Sequence, residues 1–356
     1  MKVLEKTKDI VNNLLKEKYN IEEIKFLLDL DDPESIRYLF SKSEEVCERV
    51  YGKKIYVRGI IEFSNYCRRN CLYCGIRRDN KELKRYRMSI DEIIETAIYG
   101  YELGYKTIVL QSGEDLYYDK YIPEIIKRIK EKVDVAITLS LGERYENTYK
   151  LWKEAGADRY LMRIETTDPE LFRKMHPDDN LEERKKALFT LKKLGYETGT
   201  GIIVGLPGQT TLSIAKDIIF FKKLDADMLG IGPFIPHHQT PLKNEKTGDF
   251  NLVLKTIAVS RLVLPTTNIP ATTAMGTVRP NGREIAMNIG ANVIMPNITP
   301  QKYRPYYKLY DNKICIFETT GQCRNCIATR VKSIGKVVVI DKGSRINLKY
   351  SQIIAK

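Results

Sequence analysis

No stretch of the 356-residue chain approaches the ~18 apolar residues of a membrane span. The first residues, Met1 to Asp9, mix both charge signs and lack the apolar core of a signal peptide, so a soluble cytoplasmic protein is expected. Histidine is scarce: there are three, and the first is His176. The seven cysteines are an odd number, and six of them fall in two tight groups. That pattern excludes a disulfide framework and points to thiolates kept reduced as metal ligands. Clustered arginines interleaved with aromatics are also missing. The net charge of +13 is instead spread along helices (Lys127–Lys132, Arg184–Lys186, Lys192–Lys193) among acidic residues. This is a solvated, lysine- and glutamate-rich surface, and no nucleic-acid partner is expected.

What the sequence does hold is Cys67-Arg-Arg-Asn-Cys71-Leu-Tyr-Cys74, directly after the largely apolar run Ile55–Phe63. Three thiolates within eight residues can reach one inorganic centre. No fourth ligand is near, since Cys47 lies twenty residues upstream on a helical pattern and reads as a packed thiol. A closed zinc site needs four ligands, and an ordinary [4Fe–4S] cluster needs four cysteines. Three cysteines around a cubane leave one iron open. The amino and carboxylate groups of S-adenosylmethionine are suited to chelate it, and an electron passed into the sulfonium then releases a 5′-deoxyadenosyl radical. An incomplete zinc loop is the bland alternative.

The remaining pattern supplies a place for such a centre. Residues 1–50 read as helices broken at Asp31-Asp-Pro33, and form an N-terminal helical cap. From there short apolar runs alternate with helical patterns. Strands are predicted at 55–62, 106–111, 134–139, 158–164, 198–204, 227–231, 269–273 and 292–295. The helix Ser89–Leu103 opens on the capping-box sequence Ser89-Ile-Asp-Glu92, and another spans Ile214–Lys223. Eight strand–helix repeats imply an α/β fold, a (β/α)8 TIM-type barrel over residues 51–300. A segment 301–356 follows with the second cysteine group. Barrel active sites lie at the C-terminal ends of the strands, and the three-cysteine loop follows the first strand.

Polar residues collect at the other strand ends. They include Gln111–Asp115, Thr138–Ser140, Arg163-Ile-Glu-Thr166 with Arg184 beyond it, and Thr272–Gly276. Glu165 is suited to hold ribose hydroxyls, and Arg163 or Arg184 a carboxylate. His237 and His238 lie in a proline-rich loop. Adjacent side chains of an extended chain point apart, so a structural or gating role is expected rather than a shared metal. Cys315, Cys323 and Cys326 again provide only three thiolates, for an accessory iron–sulfur cluster or for zinc with an outside ligand.

The triad with Tyr73 between its last two cysteines resembles the signature of the radical S-adenosylmethionine superfamily. The segments Ile61–Asn80, Val109–Asp115, Gly230–Pro236 and Ile269–Gly276 resemble the HydE family of [FeFe]-hydrogenase maturases. The likeness runs from about residue 50 to Cys326. It implies a catalytic [4Fe–4S] cluster on Cys67, Cys71 and Cys74. Tyr73, Ser140, Glu165, Arg184 and Tyr307 match positions that contact S-adenosylmethionine. Arg163, Thr272, Thr273 and Tyr310 match the substrate or anion end. Cys315, Cys323 and Cys326 match an accessory cluster, [2Fe–2S] or [4Fe–4S], that some members lack. The implied substrate is a small organometallic iron–CO–cyanide–cysteine precursor of the two-iron subcluster. The implied partners are other hydrogenase maturases and a reductant such as ferredoxin or flavodoxin. Ile164 stands where histidine is expected in close relatives, placing an apolar side chain near the substrate end. The alternatives are methylornithine synthase, biotin synthase (disfavoured because no cysteine lies between Cys74 and Cys315) and a basic zinc module binding nucleic acid.

Overall fold

The computed structural model describes residues 2–348 and 352–353. Helices α1 (Lys2–Leu15), α2 (Ile21–Asp29) and α3 (Pro33–Tyr51) come first. Their boundaries are written in local chemistry. The Asn20 side chain accepts from the Glu23 amide while the Glu23 carboxylate takes the Asn20 amide, a reciprocal cap. Asp32 caps α3 with Pro33 in its first turn, which is the break expected at Asp31-Asp-Pro33. Cys47 is buried on α3 among Val50, Tyr51, Tyr56 and Val293.

The first expected strand is two strands, β1 (Lys54–Val57) and β2 (Gly59–Ser64). The chain changes sheets at Arg58: β1 pairs with β8 and β9, while β2 pairs with β3. The buried Arg58 guanidinium donates to the Gly343 carbonyl at 3.0 Å. Then follow α4 (Ile90–Glu102), β3 (Thr107–Ser112), α5 (Ile122–Lys132), β4 (Ala136–Ser140), α6 (Glu146–Glu154) and β5 (Arg159–Leu161). Next come α7 (Pro169–Met175), α8 (Leu181–Lys193), β6 (Glu197–Val204), α9 (Thr211–Leu224), β7 (Met228–Pro233) and α10 (Phe250–Val263). The chain continues through α11 (Thr273–Val278), α12 (Gly282–Ile289), β8 (Val293–Ile294), α13 (Thr320–Ser333) and β9 (Val337–Val339). Helix α4 carries the expected Ser89–Glu92 capping box.

Strands β2 to β7 form one parallel sheet in chain order, as right-handed helical crossovers require. The ring continues through single bridges, Met228 to Asn268, Pro270 to Val293 and Ile60 to Asn297. The Ile60 amide donates to the Pro296 carbonyl at 2.9 Å, and the Ile298 amide donates back to Ile60 at 2.9 Å. These contacts close the barrel between its last and first strands. The strand expected at 269–273 is therefore only a bridge. Pro270 has no N–H to give a ladder, and Thr273 already begins α11. Near-complete burial of strands such as β6 and β7 reflects helices outside and a filled lumen inside.

The chain's end seals the opposite, N-terminal end of the strands. The Lys342 carbonyl accepts from buried Arg159 at 2.8 Å and from Thr107 at 2.8 Å. Arg345 reaches Asp225 and Asp227. The open end is thus the C-terminal one. Among the described residues no helix is long and apolar enough to cross a membrane.

Candidate active site

The cysteine loop leaves β2 at the open end and is clamped from both sides. The Cys67 Sγ accepts the Glu114 amide at 3.3 Å. Behind it, a Cβ on Gly113 would stand 2.2 Å from the Tyr66 carbonyl. A Cβ on Gly75 would stand 2.2 Å from the Lys308 carbonyl and 2.5 Å from the His237 ring, so only glycine lets these segments meet. The Arg85 guanidinium gathers the loop from within, donating to the carbonyls of Asn65, Ile76, Arg77 and Asn80.

All three thiols are half-buried and free of disulfides. Burial pushes Cys71 well up, and its neighbours Cys74 and Cys67 push it further. Cys74 is pushed up to about 12, first by burial and then by Cys67. Three thiolates this close repel one another unless a cationic centre sits among them. The donor set, three sulfurs and no fourth ligand, fits a cluster that keeps one iron open.

Beside the triad, Glu165 is buried at φ +65, a left-handed backbone that costs about 1–2 kcal/mol for a residue with a Cβ. Its Oε1 accepts from the Arg163 Nε at 3.0 Å, while Oε2 is buried without a partner. Burial pushes this carboxyl up, opposed by Arg163 and Arg184. Buried acceptors are normally satisfied, so Oε2 marks a place for a ligand hydroxyl. The Thr138 and Thr272 hydroxyls are likewise buried and unpartnered. Ser140 ends β4 opposite Gln111 of β3, whose side-chain amide donates to the buried Tyr307 phenol at 3.2 Å. Thr273 lies at the start of α11. The Tyr310 phenol is pushed up by burial and held by Thr277. Ile164, between Arg163 and Glu165, is fully buried in the hydrophobic core.

Arg184 does not stand free. It pairs with both Glu143 and Asp179, and donates to the Arg163 carbonyl at 3.2 Å. Arg69, inside the cysteine loop, pairs with Glu114 at 3.0 Å, Glu143 at 3.1 Å and Asp179 at 3.2 Å. Two guanidiniums and three carboxylates thereby lace together the loops after β2, β3 and β4 and the start of α8. Such pairs hold geometry when both partners are retained.

Two further residues, His176 and Lys313, carried no signal in the sequence. His176 Nδ1 faces the Phe172 carbonyl at 3.1 Å and must donate to it, so Nε2 accepts from the Tyr73 hydroxyl at 2.8 Å. Burial and then Arg184 press His176 down to about 3, keeping it neutral. In the barrel wall Lys313 meets Glu62 at 2.5 Å, tying the C-terminal segment to β2. His237 and His238, expected to diverge, stack with centroids 4.6 Å apart. The loop turns there, and the His238 Nδ1 reaches Asp311 at 2.7 Å. His237 Nδ1 accepts the Gln239 amide, which leaves its Nε2 protonated and unsuited to a metal.

Cys315, Cys323 and Cys326 converge on one cavity of about 360 Å3, lined also by Glu62, Thr273 and Arg283. Cys315 is lowered to about 6, chiefly by a hydrogen bond from Cys323.

The chain is similar to known proteins. Residues 61–221 match the model of the radical SAM superfamily. The chain is 52% identical to the [FeFe] hydrogenase maturase subunit HydE of Thermotoga maritima, covering 95% of this chain and 97% of that protein. It is 30% identical to 3-methylornithine synthase of Methanosarcina acetivorans over 77% of this chain and 78% of that one. A crystal structure of methylornithine synthase superposes with a TM-score of 0.80 at 26% identity, covering 97% of this chain and 99% of that one. An open three-cysteine loop at the mouth of a parallel barrel and a near full-length likeness thus agree, and the chain belongs to the radical SAM superfamily and, within it, to the HydE family.

Proposed function

We propose that this enzyme acts in [FeFe]-hydrogenase maturation, on an iron–CO–cyanide–cysteine precursor of the two-iron subcluster. The observation that carries this reading is the unclosed thiolate set with the unpartnered Glu165 oxygen beside it, in a chain 52% identical to HydE. A [4Fe–4S] cluster held by Cys67, Cys71 and Cys74, with S-adenosylmethionine bound, supplies a 5′-deoxyadenosyl radical.

The chain's own residues do the rest. Glu165 Oε2 offers an acceptor to ribose hydroxyls, and its left-handed backbone aims it inward. Arg184 keeps donors beyond those spent on Glu143, Asp179 and the Arg163 carbonyl, and with Arg163 it would hold the carboxylate of S-adenosylmethionine. Tyr73, fixed by neutral His176, closes the side of the cofactor cleft. Ser140 and Tyr307 border the same space. Thr272, Thr273, Arg163 and Tyr310 form the substrate end, where small hydroxyls suit an anionic ligand such as cyanide. Cys315, Cys323 and Cys326 hold an accessory cluster unnecessary for turnover. In this reading residues 1–50 cap the barrel, residues 51–300 form it, and residues 301–356 are an extension. The electron comes from a ferredoxin or flavodoxin, and the substrate comes from a partner maturase.

The test is to supply reduced, cluster-loaded protein with S-adenosylmethionine and either a synthetic iron–CO–cyanide–cysteine complex or lysine. Consumption of the organometallic complex with deoxyadenosyl product supports the proposal. Turnover of lysine alone would move the assignment to methylornithine chemistry.

A further inference from the structure

An electron must reach the cysteine-bound centre from outside, and the surface above it is unusual. Between Cys67 and Ser89 five exposed cations, Arg68, Arg78, Lys81, Lys84 and Arg87, face two exposed acids, Asp79 and Glu82. Two of these cations lie over tyrosine rings, Lys84 over Tyr306 and Arg87 over Tyr66. The Arg87 guanidinium is sandwiched between Tyr66, 3.9 Å from the ring centroid, and Tyr117, 4.5 Å away. Arg68 shares a groove of about 1040 Å3 with Leu116 and Tyr145.

The vertical order matters as much as the composition. Arg68 is 46% exposed above Glu114, which is 5% exposed, and Arg87 likewise covers buried Asp115. The guanidiniums therefore form the outer layer and the carboxylates the inner one. Tyr145 is 89% exposed, and Leu116 and Tyr117 about half. Exposed tyrosines and arginines around an apolar residue are the composition of interface anchors. The patch also touches the metal site directly. Tyr66 precedes Cys67, and the Glu114 amide bonds the Cys67 Sγ at 3.3 Å.

We propose that this face, built on Tyr66, Arg68, Arg87, Leu116, Tyr117 and Tyr145, docks an acidic one-electron carrier protein. The proposal rests on the cluster reading above. One electron leaves the carrier, which is oxidised by one. It arrives at the centre held by the cysteines, which is reduced by one, and no bond is made or broken. Cations on the rim steer an acidic partner, and the tyrosines exclude water at the contact.

The experiment is a binding titration of the cluster-loaded enzyme with oxidised flavodoxin, beside deoxyadenosine formation driven by reduced flavodoxin or by dithionite. The variants are the double substitution Tyr117→Ala with Tyr145→Ala, which leaves every ion pair intact, and Arg87→Gln. Each variant should weaken flavodoxin binding about tenfold, slow the flavodoxin-driven rate at limiting carrier, and keep the dithionite-driven rate. Raising salt from about 0.05 to about 0.3 M should weaken wild-type binding. Wild-type protein that fails to bind flavodoxin, variants that bind within twofold of wild type, or displacement of flavodoxin by RNA would each overturn the proposal. Loss of the dithionite-driven reaction in the wild type would refute the radical reading instead, while the binding titration still decides the docking face.

Discussion

Replacing Glu62 by Gln isolates one buried charge, and the structure sets how much that should cost. Lys313 and Glu62 meet at 2.5 Å with their side chains 8% and 5% exposed. Glu62 Oε2 also accepts from Asn297 at 2.8 Å, and Lys313 donates to the Tyr307 carbonyl at 2.9 Å. Glutamine keeps the shape and the Asn297 contact but leaves the ammonium buried without its counter-ion. Breaking such a pair from one side costs about 3–5 kcal/mol. The double variant Glu62→Gln with Lys313→Met should recover most of the loss, since a buried pair replaced by apolar matter is close to neutral. Denaturant midpoints for the four proteins form the assay. A single-variant loss below about 1 kcal/mol, or a double variant no better than the singles, would refute the reasoning.

Three other outcomes are expected. Gly113→Ala should lower iron per chain after anaerobic reconstitution, because its Cβ would meet the Tyr66 carbonyl at 2.2 Å and shift Cys67; unchanged iron content would contradict this. His176 is pressed down to about 3, below an ordinary ~6.5, so its share of stability is present above pH ~6.5 and is lost as pH falls toward 3. Between pH 7 and pH 5 this amounts to about 2 kcal/mol of denaturant stability, and His176→Gln should flatten that slope. Cys315→Ser with Cys323→Ser and Cys326→Ser should keep 5′-deoxyadenosine formation within about twofold, read by product chromatography, since the Cys67, Cys71 and Cys74 loop takes no ligand from that second group of thiols.

The catalytic loop was legible because its chemistry is local. Three cysteines in eight residues and an apolar strand before them fixed both the centre and its place at the barrel mouth. The capping box at Ser89 was legible for the same reason, as it joins residues three apart. What escaped depends on long-range encounters. Lys313 meets Glu62 across 251 positions and His176 meets Tyr73 across 103, and no periodicity announces either. The left-handed Glu165 was invisible because nothing in Arg163-Ile-Glu-Thr166 demands positive φ. Hydrophobic runs found strands at seven of the eight expected places, yet 269–273 fell short of a strand because proline at 270 withholds a donor. The histidine pair diverged from expectation for a related reason. Alternation applies to extended chain, and the loop after β7 turns at that point.

The most direct measurement is low-temperature EPR of anaerobically reconstituted, dithionite-reduced protein, with and without S-adenosylmethionine, in a variant whose C-terminal cysteines are replaced. A [4Fe–4S]⁺ signal that shifts on adding S-adenosylmethionine, and disappears when Cys67, Cys71 or Cys74 becomes Ser, is the result expected of an open iron on that triad. A cluster indifferent to S-adenosylmethionine, or one that survives loss of any of the three, would contradict the account.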